Sequence, residues 1–234
     1  MKIVCSGSGC ITLALHSLLS KPAKSSYDLE ITGLDISKKA IDLSNANLKH
    51  NISLGNLDAS AMDEVTFVSH DFLKTPTFGD SLYHVIVSNP PYISPRHFDT
   101  ETTRSVRNFE PRLALVPSQN EGRMTGWDPT DVFYAHLIRM YVAQRAVVLV
   151  MEVGDEEQAI RIIDAAIAQY AIHKYSQIKI WRDLPCETPT KYEHKRTWKF
   201  ADNDFTVSAS GEGNVRAVVI RRSARGGVLD PKVT

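Results

Sequence analysis

Short runs of apolar and β-branched residues alternate along this chain with longer stretches whose apolar positions recur every three or four residues. The runs Lys2–Cys5, Leu29–Leu34, Val65–Ser69, His84–Val87 and Ala146–Val153 have the length and composition of buried strands. Between them, Ile11, Leu15, Leu18 and Leu19 fall on one helical face, and Ser37 stands where it can cap a helix running through Leu48. The patterns over Asp131–Gln144 and Glu156–Tyr170 predict two more helices, the second with Ile160 and Ile163 on its buried face. Strand and helix in alternation predict a parallel sheet covered on both faces. Two further strands, Ser176–Trp181 and Val215–Ile220, follow without a helix between them, which predicts an antiparallel hairpin added at the end of the sheet.

The stretch DLPCETPTKYEHKRTWKFADNDFTVSASGEGN separates those last two strands. It is polar and long for a hairpin connection, and reads as an insertion or mobile loop over about 183–213. Its lysines, Arg196 and Trp198 can touch a partner, although a charged loop of this kind is more often simply solvated. Residues 1–222 read as one domain and 223–234 as a frayed tail.

Composition narrows the class. The chain has 234 residues, of which 43% are hydrophobic, enough for one ordinary core. Its 27 basic and 27 acidic side chains cancel, which argues against a broad polyanion-binding surface and against direct sequence-specific nucleic-acid binding. Cys5, Cys10 and Cys186 are odd in number and lack CxxC spacing, so they fit a reducing compartment and provide no metal site. No apolar run is long enough for a membrane span, and no targeting segment is legible.

Candidate chemistry gathers where strands end. CSGSGCI follows the first strand and opens the first helix. Gly7 and Gly9 permit a tight turn and close backbone approach, while Thr12 stands where a dinucleotide fingerprint has its last glycine. The loop therefore suits a nucleotide-like ligand, although Gly-Ser-Gly also serves as a plain turn. At the end of the second strand, GLDI places Asp35 where a carboxylate can accept both hydroxyl hydrogens of a ribose; the same charge also suits the start of the next helix. SHDF, after the third strand, offers Asp71 as an acceptor for an adenine amino group.

The fourth strand runs into VSNPPYIS. Asn89 precedes a proline and is biased towards extended backbone, while Pro90 and Pro91 each fix φ. The rigid turn can hold the Asn89 side-chain carbonyl and the Pro90 backbone carbonyl as two converging acceptors, with Tyr92 packing on a flat guest bearing an –NH₂.

Together CSGSGCI, Asp35, SHDF and SNPPY resemble the class I S-adenosylmethionine-dependent methyltransferases that modify amino nitrogens. That resemblance implies a Rossmann-like, seven-stranded, mostly parallel sheet with helices on both faces and a C-terminal antiparallel hairpin. It also implies S-adenosyl-L-methionine as cofactor. RNFEPRLALV (107–116), LVMEVGDEEQ (149–158), and WRDLPCE with the later NVRAVVIRR further resemble the HemK/PrmC family, which methylates the side-chain amide of a glutamine in peptide chain release factors.

The resemblance implies Ser6, Gly7, Gly9, Asp35, Ile36, Asp71, Phe72 and Asn89 on the cofactor side. It makes Asn89, Pro90 and Tyr92 catalytic, and places Asn89, Pro90, Pro91, Tyr92 and Glu110 against substrate. Arg107 and Arg112 read as solvated arginines rather than loop braces, and His97 as structural. A release factor is the implied partner and the mitochondrion the implied location, by similarity to eukaryotic members, with the cytoplasm as the alternative.

Two features depart from that family. Ile3 stands where an acidic residue is usual, and the family's helical N-terminal domain has no counterpart before the first strand, as expected of a truncated form. Two other classes stay open: methylation of an adenine amino group in nucleic acid, and a non-catalytic module that keeps only the fold.

Overall fold

The strand Lys2–Val4 (β1) is buried along its whole length, and the sheet grows outward from it on both sides. The computed structural model describes residues 1–20, 28–75, 82–118, 123–187, 195–199 and 204–223. After β1 come helix Cys10–Leu19 (α1), strand Ile31–Asp35 (β2), helix Lys38–Ser53 (α2), the single turn Ala61–Glu64 (α3) and strand Val65–Ser69 (β3). Strand Val85–Ser88 (β4) leads into three short helices, Pro95–Thr100 (α4), Arg104–Phe109 (α5) and Arg112–Leu115 (α6). Helix Val132–Ala143 (α7), strand Val148–Glu152 (β5) and helix Glu156–Tyr170 (α8) follow. The chain continues through Ser176–Leu184 (β6), Lys195–Trp198 (β7), Phe205–Ser210 (β8) and Glu212–Arg222 (β9).

The sheet order is β3-β2-β1-β4-β5-β9-β6-β8-β7. The first five strands in that order are parallel, and β9 enters antiparallel between β5 and β6. All seven expected strands are present, and the last two expected ones are antiparallel neighbours.

Side-chain alternation sends the two faces of the sheet into two cores. Val4, Leu34, Ile86, Leu149 and Met151 face α7 and α8, where Tyr134, Tyr141, Ile162 and Ile163 are fully buried. Val65 and Phe67 face the other way, into a smaller cluster with Leu13, Ile41 and Leu48 from α1 and α2. The cap predicted at Ser37 forms, its side chain accepting from the Ala40 N–H, and the structure adds a second at Asp155, which caps α8 by accepting from the Gln158 N–H.

The stretch expected as a polar loop instead supplies two strands, bringing the sheet to nine among the described residues. β8 pairs parallel to β6 with Lys179 opposite Ser208, and β7 closes the edge against β8. Val207 and Ala209 of β8 turn into the main core, while Arg196 and Trp198 of β7 both bond Asp164 on α8. Those two side chains, read as partner-facing or solvated, thus hold the extension to the body of the protein. The expected frayed tail lies outside the described residues from 224 onward.

Parallel pairing aligns the strand ends. Val4 lies opposite both Leu34 and Ser88, and Ser88 opposite Met151. The residues that follow these positions, Cys5–Gly9, Asp35, Asn89 and Glu152, therefore leave the sheet at one edge, where ligands of such folds bind.

Candidate active site

The glycine loop is held by α2 and β2 before any ligand arrives. Cys5, Gly7 and Gly9 all take positive φ, at 59°, 55° and 82°. The Ser6 N–H donates to the Leu34 carbonyl, and the Gly9 N–H returns to the Ser6 carbonyl. From α2, the Ser44 hydroxyl donates to the Gly7 carbonyl at 2.8 Å and the Asn47 amide to the Ser8 carbonyl at 2.9 Å. Neither residue was singled out from the sequence; each is a polar residue inside a helix pattern, and only the fold brings the loop to it.

The two glycines serve different ends. A β-carbon on Gly7 would meet nothing within 4 Å, so open space lies over its backbone. A β-carbon on Gly9 would strike Phe67, so that glycine is needed for packing.

Asp35 accepts the Gly7 N–H on one oxygen and the Ser37 N–H on the other, both at 2.9 Å. It joins the loop to the start of α2, a role the ribose reading did not include. A carboxylate has about four acceptor positions, so two remain for hydroxyl donors. Cys5 as a residue keeps some exposure, but its thiol is enclosed; that burial, reinforced by the Asp35 charge, pushes it up to about 12.

The remaining residues expected on the cofactor side are distributed unevenly. Ile36 is exposed beside Asp35 and presents an apolar surface at the same edge. Ser6 is buried, and its hydroxyl has no hydrogen-bond partner among the described residues. Asp71 accepts from the N–H groups of Leu73 and Lys74, closing its own turn. Phe72 packs in the main core edge-on to His136, so its ring is committed to that packing.

The Asn-Pro-Pro-Tyr turn is fixed on three sides. Ser88 donates to the Val4 carbonyl at 2.9 Å, tying the start of the turn to the glycine strand. Pro90 and Pro91 are buried. The Tyr92 hydroxyl donates to Oε1 of Glu152 at 3.2 Å, and its ring lies over Gly154, where an added β-carbon would stand 3.1 Å from Cδ2. Burial, followed by the Glu152 charge, raises the Tyr92 hydroxyl above its ordinary value and keeps it a neutral donor. Asn89, by contrast, is exposed, and no hydrogen bond among the described residues engages its amide.

Gln158 ties the back of the turn to α8. It accepts the Gly154 N–H at 2.9 Å and donates to Asp131 at 2.9 Å, with a weak 3.5 Å contact to the Tyr92 carbonyl. Asp131 is buried and paired with Arg161; burial outweighs that pairing and raises its carboxyl.

On the other side, the Ile93 N–H bonds the Leu115 carbonyl, drawing the α5–α6 segment alongside. Glu110 lies in that segment, near enough for its charge to act on Tyr92. Arg107 and Arg112 are exposed, as read, and both also bond Asp99 at the surface of the segment. The exposed His97 side chain lies 3.7 Å from a Glu101 carboxylate oxygen.

A family model described as N-6 DNA Methylase matches residues 3–168. Among curated proteins, the chain is 35% identical over 113 residues to the mitochondrial MRF1 N(5)-glutamine methyltransferase MTQ1 of Saccharomyces cerevisiae, covering 47% of this chain and 31% of that protein. It is 39% identical over 110 residues to the release factor glutamine methyltransferase of Rhodopirellula baltica, covering 47% and 31%. The matched span is thus about a third of either relative's length. Among solved structures, the methyltransferase domain of bacterial CtHen1 aligns over 94% of this chain and 88% of its own, with TM-score 0.51 and 9% identity, a likeness of fold.

Proposed function

Because the chain belongs to the N-6 DNA Methylase family, we propose that it methylates, with S-adenosyl-L-methionine, the side-chain amide nitrogen of a glutamine in a peptide chain release factor. The observation that carries this reading is Asn89: an exposed amide with no partner among the described residues, on a turn fixed by two buried prolines and beside the glycine loop. The glutamine in the names of the curated relatives supports the choice of acceptor. The mitochondrial setting rests on the yeast relative.

The residues present fit the cofactor. Open space lies over Gly7, spare acceptor positions remain on Asp35, the apolar Ile36 stands beside it, and the Ser6 hydroxyl lacks a partner among the described residues. Ser6, Gly7, Gly9, Asp35, Ile36, Asp71 and the Phe72 backbone would hold it. When bound, S-adenosyl-L-methionine supplies a methyl group made electrophilic by its sulfonium.

An amide nitrogen is a poor nucleophile because its lone pair is shared with its carbonyl. Orientation must therefore contribute heavily, and can supply roughly 7–11 kcal/mol in favourable cases. In this reading the Asn89 carbonyl and the Pro90 carbonyl accept the two amide hydrogens, and the Tyr92 ring covers the flat face. Pro91 stiffens the turn, and Glu110 bounds the pocket. The same acceptors stabilise positive charge as it develops on nitrogen. Residues 1–222 act as one catalytic unit, with β7 and β8 as its outer edge.

The adenine reading keeps the family's printed name in its favour, but the balanced charge provides no net positive excess to draw a duplex, leaving room only for a local basic patch. The deciding experiment incubates the protein and labelled S-adenosyl-L-methionine with a release factor and, separately, with DNA. Mass spectrometry should find one methyl group on the glutamine of the Gly-Gly-Gln tripeptide. Label on adenine alone, or on neither substrate, would overturn the proposal.

A further inference from the structure

Glutamine and glutamate side chains have nearly the same shape, so an amide-methylating pocket must tell them apart by charge and hydrogen-bonding sense. Asn89 cannot do this alone, because a half-turn about its terminal bond presents an –NH₂ donor in place of the carbonyl. The Pro90 carbonyl is a fixed acceptor and favours the amide, and a fixed negative charge beside the pair would add to that discrimination.

Glu152 stands in that place. Ser88 pairs with Met151, so the next residues, Asn89 and Glu152, leave β4 and β5 side by side. Ile86, Ser88, Leu149 and Met151 are buried on one face, which puts Glu152 on the opposite one with the half-buried Val87 and Val150. The main chain of Glu152 is anchored by the Tyr134 hydroxyl, which donates to its carbonyl at 2.8 Å. Its Oε1 accepts from Tyr92, while no hydrogen bond or ion pair among the described residues occupies Oε2.

The surroundings keep the field negative. Glu152, Glu110 and Arg216 all act on the Tyr92 hydroxyl, and Arg216 is itself paired with Asp183. At Tyr92, two carboxylates thus oppose one guanidinium whose charge is already shared with Asp183.

We propose that Glu152 is the specificity-determining residue of the acceptor pocket: its carboxylate, beside Asn89 and Tyr92, admits a neutral carboxamide and repels the isosteric carboxylate. The proposal rests on the amide-methylating reading above. It makes part of the pocket's selectivity repulsive, which attractive contacts to Asn89 cannot supply.

The test is calorimetric binding of a release factor and of its acceptor-Gln→Glu variant to the whole protein, compared between wild type and Glu152→Gln. The glutamine side chain retains an acceptor for the Tyr92 hydroxyl, and thermal unfolding checks that the fold is kept. Wild type should prefer the glutamine form by at least about tenfold, the order expected for one partly screened charge pair. Glu152→Gln should shrink that ratio several-fold, chiefly by tighter binding of the glutamate form. Glu110→Gln, at an exposed position, should move the ratio the same way by less. An unchanged ratio in Glu152→Gln, or equal weakening of both forms, would overturn the assignment. Binding of neither form to wild type would instead bring down the amide reading itself.

Discussion

Gly9 and Phe67 compete for one small volume: a β-carbon on Gly9 would lie 2.8 Å from Cζ of Phe67. The ring cannot retreat, because its Cδ1 already lies where a β-carbon of Gly33 would be, at 2.6 Å, and Phe67 is buried. Gly9→Ala should therefore cost about 2–4 kcal/mol of stability, from positive φ and overpacking together. Gly7→Ala, with open space above it, should cost only about 1–2 kcal/mol, yet weaken S-adenosyl-L-methionine binding more than Gly9→Ala does per unit of stability lost. Urea unfolding paired with calorimetry separates the two.

Asp35→Asn retains one acceptor oxygen and turns a donor towards the N–H of either Gly7 or Ser37. A loss of about 1–3 kcal/mol is expected from the mismatched hydrogen bond, together with weaker cofactor binding. If binding weakens while the unfolding midpoint stays put, Asp35 is not what holds the loop to α2.

Asn89→Ala removes an exposed side chain, so stability should move by less than about 0.5 kcal/mol. Turnover should fall by roughly 10²–10³, the usual loss for one polar group acting on developing charge, while cofactor affinity stays near wild type. Parallel loss of kcat and cofactor binding would count against its role towards the acceptor.

Gln158→Leu removes the acceptor for the Gly154 N–H and the donor to Asp131. A destabilisation of about 2 kcal/mol is expected, with kcat reduced through loosening of the Tyr92 turn and cofactor affinity retained. A stable variant with normal kcat would show that the contact to α8 does not position the turn.

Folding favours the protonated thiol of Cys5, whose ordinary value of 9.0 rises to about 12. The stability this contributes is complete below pH 9 and is lost as pH rises from there towards 12. Wild type should thus lose more stability than Cys5→Ala between pH 9 and 11 in denaturant titrations. At pH 8, alkylating reagent should label the exposed Cys10 and Cys186 and spare Cys5 until the chain unfolds.

Much of this fold is legible in the sequence because its parallel strands are short apolar runs between helical periods, and parallel pairing then brings Gly7, Asp35 and Asn89 to one edge. What was illegible has local causes. KRTW carries one large apolar residue, and FTVSAS, although it alternates apolar with polar positions, is a short run inside a long polar stretch, so β7 and β8 do not stand out from it. They form because β6 offers an unpaired edge and Asp164 on α8 offers a shared acceptor to Arg196 and Trp198. Within the site, Asp35 was legible as an acceptor but its engagement by Gly7 and Ser37 was not. Ser44, Asn47 and Asp131 act across 27 to 39 positions of chain, a distance no local pattern encodes.

The placement of β9 sets an order of events during synthesis. β6, β8 and β7 reach β5 only through β9, and β9 comes last of the described elements to leave the ribosome. Until Glu212–Arg222 emerges, β5 carries a bare edge rich in valine and leucine, open to pairing with another nascent chain. A message cut short before that point would yield polypeptide that holds every glycine-loop and turn residue and still cannot close its sheet.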